Sequence, residues 1–88
     1  MTSNTFYVFE HPNGNRFWGY DKKNHYFGWD HYLPEQAEKF DSYNSAKSFL
    51  KSNNIYVTQY LEEFINCKIR KVTIYTEISD CDEENISN

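Results

Sequence analysis

The sequence predicts a single small α+β domain: an antiparallel sheet of about four strands, ordered β-β-β-α-(α)-β along the chain, with its helices on one face. Three observations predict it. The first thirty residues hold three short aromatic-rich runs separated by turn signals. Residues 42–52 repeat apolar side chains at helical spacing. A run rich in β-branched residues follows at 68–78. With 88 residues the chain has room for one core and not two. Residues 1–76 are read as the domain and 77–88 as an acidic C-terminal tail.

The run TFYVFE at 5–10 reads as the first strand, because aromatic and β-branched side chains suit a pleated, half-buried surface. It meets His11-Pro12-Asn13-Gly14-Asn15, where Asn-Gly supplies the positive φ of a hairpin turn and Pro12 lacks the amide a central strand needs. RFWGY at 16–20, the polar turn Asp21-Lys22-Lys23-Asn24 and HYFGW at 25–29 make a second hairpin. Gly19 and Gly28 interrupt these strands at matching places, which points to a bulge or to a bulky neighbour lying across the backbone. Residues 33–38 read as one helical turn opened by Pro34, and Phe40 pins this connection to the core.

A clearer helix starts at Asp41 or Ser42, either of which can cap the first free amides, and sets Tyr43, Ala46, Phe49 and Leu50 on one stripe. Asn53-Asn54 ends it. In 55–66, Ile55 to Val57 favour strand, while Leu61, Phe64 and Ile65 recur at helical spacing. A helix is therefore expected from a Thr58 cap, with Glu62 and Glu63 on its solvent side. In the last strand Val72 and Ile74 share a face that is expected to lie under the helix.

Charge is divided unevenly. The net charge is −4, yet all nine basic residues and eight of the thirteen acidic ones fall in 1–76; Glu77, Asp80, Asp82, Glu83 and Glu84 make up the rest. A near-neutral body disfavours a general phosphate-backbone binder, so nucleic acid is not the first expectation. No stretch approaches the roughly 18 apolar residues of a membrane span, and the N-terminus lacks the layout of a signal peptide, so the chain is expected to stay where it is made and off membranes. Cys67 and Cys81 alone do not form a disulfide framework, which fits a reduced, cytoplasmic setting.

Chemistry-bearing patterns are sparse. His25 and His31 are not at metal-ligand spacing with Cys67, Asp21 or Asp30, and glycines 14, 19 and 28 are too scattered to cradle phosphate. Cys67 reads as a small buried hydrophobe rather than a nucleophile. No metal, cofactor or catalytic residue is expected, and the chain is read as a binder rather than an enzyme.

The most informative feature is the aromatic content: 8 Tyr, 7 Phe and 2 Trp, or 19% of the residues. Rings occur on both faces of the first three strands. One face must pack on the helix. The other either stays exposed, as an interface would require, or is hidden beneath the connection at 30–40. On the exposed reading the binding surface is Trp18, Tyr20 and Trp29 beside Arg16, Lys22 and Lys23, with the tail residues Asp80, Asp82, Glu83 and Glu84 entering a basic groove of the partner.

The run Phe27-Gly28-Trp29-Asp30, then Ala37-Glu38-Lys39-Phe40-Asp41-Ser42, then Ala46 and Phe49-Leu50, resembles a layout in small phage and prophage accessory proteins. There a hairpin ends in a glycine-aromatic corner, followed by an A-x-x-F-x-S step and a helix; some anti-CRISPR inhibitors of Cas9 share the layout. The resemblance implies a protein that binds and inhibits a host protein, such as an antiviral defence component, in the bacterial host cytoplasm. Two other readings stand beside it. One is a nucleic-acid-binding regulator with Arg16, Lys22, Lys23, Lys68, Arg70 and Lys71 on one basic face. The other is a self-associating assembly protein that uses the free edge of its sheet.

Overall fold

The computed structural model describes residues 2–79. Its four antiparallel strands are β1 (Thr2–Glu10), β2 (Phe17–Asp21), β3 (Tyr26–His31) and β4 (Lys68–Thr76), in the spatial order β3-β2-β1-β4. Between β3 and β4 come a 3-10 turn (Pro34–Gln36) and three short helices: α1 (Tyr43–Lys51), α2 (Ile55–Gln59) and α3 (Leu61–Asn66). The α+β class and the four-stranded antiparallel sheet are those expected from the sequence.

Both turns form where the sequence places them. In the first, Gly14 and Asn15 adopt φ of 81° and 64°, and the His11 amide donates to the Arg16 carbonyl at 2.8 Å. In the second, the Asp21 carboxylate accepts from the backbone amides of Lys23 (2.9 Å) and Asn24 (3.1 Å), an Asx-type lock.

The sheet is curled because β1 and β2 stay paired only next to their turn, at Glu10↔Phe17. Beyond that the connection after β3 enters the fork. Glu38 donates its amide to the Trp18 carbonyl at 3.0 Å, and Phe40 exchanges two backbone hydrogen bonds with Tyr7, at 2.8 and 2.9 Å. These bonds satisfy the Tyr7 amide and carbonyl and the Trp18 carbonyl, which the fork takes out of the β1–β2 ladder.

The helices pack on one face of the sheet, where Phe9, Trp18, Trp29, Ala46, Val57 and Phe64 form the main core. The opposite face carries a smaller cluster of Phe6, Val8 and Ala37, flanked by Phe17, Val72 and Ile74. The connection therefore covers the second face of the sheet, which decides between the two readings left open above. It also corrects one expectation: Val72 and Ile74 lie on the face away from the helices. Register accounts for this, since Phe6 pairs with Val72 and Phe9 with Ile69, so Ile69 is the β4 residue that joins the helical core.

Ser42 caps α1, its hydroxyl accepting from the Ser45 amide at 3.0 Å, and Ala46, on the core side of α1, is fully buried. Tyr43 sits nearer the solvent, with Lys47 Nζ 6.0 Å from its ring centre. The helix ends at Ser52 in extended backbone. Asn54 does not end α1 but starts α2, its Oδ1 accepting from both Tyr56 and Val57 amides at 2.9 Å. That double cap, together with burial of Val57, overrides the strand preference of Ile55 and Val57. Thr58 caps nothing; its hydroxyl donates back to the Asn54 carbonyl at 2.9 Å. Asn54→Ala is expected to cost about 1–2 kcal/mol, because it removes both acceptor contacts. Urea denaturation followed by circular dichroism checks this.

Candidate functional site: a tyrosine-lined groove

Phe27 forms the floor of the groove. Its ring stacks on Trp18 at 4.9 Å between centres, meets Tyr56 at 4.8 Å and receives the edge of Tyr20 at 5.1 Å. With the β2–β3 hairpin on one side and α2 on the other, Tyr20, His25, Tyr26, Tyr56, Gln59 and Tyr60 complete an open groove of about 280 Å³. Tyr56 and Tyr60 lie one helical turn apart, which is how α2 brings both rings to the hairpin. Tyr20 and Tyr26 are 39% and 42% exposed, so ring surface remains open to contact.

The groove has stiff walls. His25 adopts φ of 59° while its amide donates to the Asp21 carbonyl at 2.7 Å, and Tyr20 Oη lies 3.4 Å from His25 Nδ1. The Asn24 side-chain amide donates to the Asp21 carboxylate at 2.9 Å, and this bond leads in holding the Asp21 carboxyl below its usual range. The Tyr26 hydroxyl donates to Asp30, and this hydrogen bond to a carboxylate is the main reason its phenol is pushed up to about 12. Lys22 and Lys23 stand exposed on the turn and line a cleft on its other side.

On the other side of the turn a wider cleft of about 580 Å³ separates it from the connection. Lys22, Lys23 and Lys39 there alternate with Asp21, Glu35 and Glu38. Cations and carboxylates in equal number give this cleft no net preference for ligand charge, which sets it apart from the aromatic groove.

Of the residues singled out in the sequence, Tyr20, Lys22 and Lys23 come together at this end of the hairpin. Trp18 and Trp29 do not reach the surface: they are 1% and 6% exposed, and the expectation of exposed indole anchors is corrected. Side chains alternate along a strand, and Trp18 and Trp29 point to the helical face, where Phe64 packs against both, at 5.4 and 5.0 Å. Arg16 lies at the opposite end of β2, with its guanidinium 3.2 Å from His11 Nε2. Lys68, Arg70 and Lys71 sit on β4 at the far edge of the sheet, and Arg70 pairs with Glu10 at 2.8 Å. The six basic residues thus form no single face. Asp80, Asp82, Glu83 and Glu84 lie outside the described residues.

Sequence reasoning missed Tyr26, Tyr56, Gln59 and Tyr60. The available signal was the i, i+4 tyrosine pair in IYVTQY, legible only once that run is read as helix. Cys67 is half-buried, and desolvation pushes its thiol up to about 11, far from the thiolate a nucleophile needs at neutral pH. Among the described residues no group of three or more His, Cys, Asp or Glu is placed to hold a metal ion, and no helix is long and apolar enough to cross a membrane.

Compared with known proteins, the chain matches no family model, no curated sequence and no solved structure.

Proposed function

We propose that this chain is a phage-type accessory protein that binds and inhibits a host protein, an antiviral defence component in the bacterial cytoplasm, by stoichiometric association rather than turnover. The observation that carries the reading is the convergence of Tyr20, Tyr26, Tyr56 and Tyr60 on one groove floored by Phe27. Tyrosine brings large contact area with few rotatable bonds and a polar tip, and is enriched where protein interfaces concentrate their binding energy. A turn locked by Asp21 and a Tyr26 side chain held by Asp30 lower the ordering cost of association. The near-neutral body leaves a protein surface as the favoured partner over nucleic acid.

The test is affinity capture from bacterial lysate with nuclease treatment, followed by titration calorimetry against the purified captured protein. One partner bound at equimolar stoichiometry is expected. Tyr20→Ala and Tyr60→Ala together should weaken it at least about tenfold, with circular dichroism unchanged. Retention lost on nuclease treatment would move the nucleic-acid reading ahead, with bases stacked on the rings. Binding indifferent to both substitutions would remove the groove from the account.

A further inference from the structure

We propose that the outer edge of β4 is a self-association surface, and that two copies of this chain pair there antiparallel about Val72 to form one continuous eight-stranded sheet. Among the described residues nothing pairs with that edge, since β4 ends the order β3-β2-β1-β4. Its free backbone groups can be assigned. Tyr7 exchanges both of its backbone hydrogen bonds with Phe40, on the side of β1 away from β4. In the antiparallel pair Tyr7↔Lys71, therefore, the two residues turn their amides and carbonyls away from each other. Lys71 presents its own to the outside. By the two-residue period of a strand, so do Ile69, Thr73 and Tyr75.

This edge lacks most of the features that protect edge strands. It runs for nine residues in unbroken register with β1, without proline, glycine or bulge. The opposite edge, β3, is shorter, carries Gly28 and Asp30, and joins β2 through a register shift. The protection β4 does have is confined to its first half, where Lys68, Arg70 and Lys71 lie; Val72 to Thr76 carry no charge.

That asymmetry is what makes a second copy fit. The register that overlaps the whole strand sets Val72 against Val72 of the second copy, Lys71 against Thr73, Arg70 against Ile74, Ile69 against Tyr75 and Lys68 against Thr76. The cationic half of each strand then covers the uncharged half of the other, and no like charges stand directly opposite. Registers centred on Arg70 or Lys71 would oppose cation to cation and shorten the overlap. The pairs Ile69–Tyr75 and Lys71–Thr73 are the ones whose outward groups can bond, two hydrogen bonds to each pair. Tyr75, largely exposed in the single chain, gains Ile69 as a cross-strand neighbour. Because β4 and the β2–β3 hairpin occupy opposite sides of the sheet, such a dimer leaves both tyrosine grooves open at its two ends.

Sedimentation velocity of the full chain, from about 5 µM to about 500 µM, tests the pairing by mass action. The expected result is a reversible monomer–dimer equilibrium. Thr73→Pro removes an outward amide that β1 does not use, and should weaken the dimer at least about tenfold while circular dichroism stays that of the wild type. Thr73→Lys and Thr73→Glu fix the register even if the proline variant fails to fold. Lysine would face Lys71 of the second copy and weaken association, whereas glutamate would face the same Lys71 and bind more tightly than lysine. A full chain that stays monomeric throughout overturns the proposal. So does a dimer on which the lysine and glutamate variants have the same effect.

Discussion

Trp18→Ala is expected to destabilise the fold by about 3–5 kcal/mol, enough to leave much of the chain unfolded if its total stability lies at the low end of the usual 5–15 kcal/mol. The indole is 1% exposed and sits at the centre of the aromatic core. It stacks on Phe27 and meets Phe49, Tyr56 and Phe64 at 5.2, 5.8 and 5.4 Å, so its removal strips contacts from β3 and from all three helices at once. The cavity cannot collapse easily, because its walls are rings held by separate elements. Trp18→Phe serves as the control. It keeps a ring in place and deletes an indole N–H that is buried without a hydrogen-bond partner, so the loss should fall to about 1–2 kcal/mol. Urea denaturation followed by circular dichroism measures both. An alanine variant within 1 kcal/mol of wild type would contradict the assignment of Trp18 to the core.

The groove depends on that core. Phe27, which floors it, is held between Trp18 below and Tyr20 and Tyr56 at its walls. Binding at the groove and stability of the core are therefore coupled through one ring. Substitutions meant to probe function belong at the rims, at Tyr20 and Tyr60, and not at the tryptophans.

What the sequence made legible was local. Asn-Gly after an aromatic run, the Asp21 turn and the Ser42 cap each depend on residues a few positions apart, and each formed as read. What it did not make legible was decided by distant contacts. Ile55 and Val57 lean toward strand on their own. The double cap from Asn54 and the pocket that buries Val57 turn them into helix. Which ring faces of β2 and β3 are exposed depends on the connection entering the fork between β1 and β2, and nothing in the alternation of Trp18, Tyr20, Phe27 and Trp29 specifies that. The basic residues looked like one face along the chain. The strand order sends Lys22 and Lys23 to one side of the sheet and Lys68, Arg70 and Lys71 to the other.

Gly19 and Gly28 are directly paired across β2 and β3, yet they should respond differently to the same substitution. A Cβ on Gly19 would lie 3.0 Å from the Ala37 Cα and 3.0 Å from the Glu38 nitrogen, both backbone atoms of the connection, and 2.8 Å from the His31 ring. The connection cannot retreat without losing the Glu38 amide bond to the Trp18 carbonyl and uncovering Phe6 and Val8 beneath Ala37. Gly19→Ala is expected to cost about 3 kcal/mol, the upper end for overpacking a filled space. At Gly28 the same Cβ meets only side chains, the Tyr26 ring at 2.8 Å and the Asp30 carboxylate at 3.0 Å. These can swing outward together, so Gly28→Ala should cost about 1 kcal/mol. It should also loosen the Tyr26–Asp30 hydrogen bond and bring the phenol back down from about 12, a shift readable by ultraviolet titration of tyrosine. Equal losses at the two positions would mean that the connection yields as readily as a surface side chain. The fork between β1 and β2 would then not be held shut by segment 37–40.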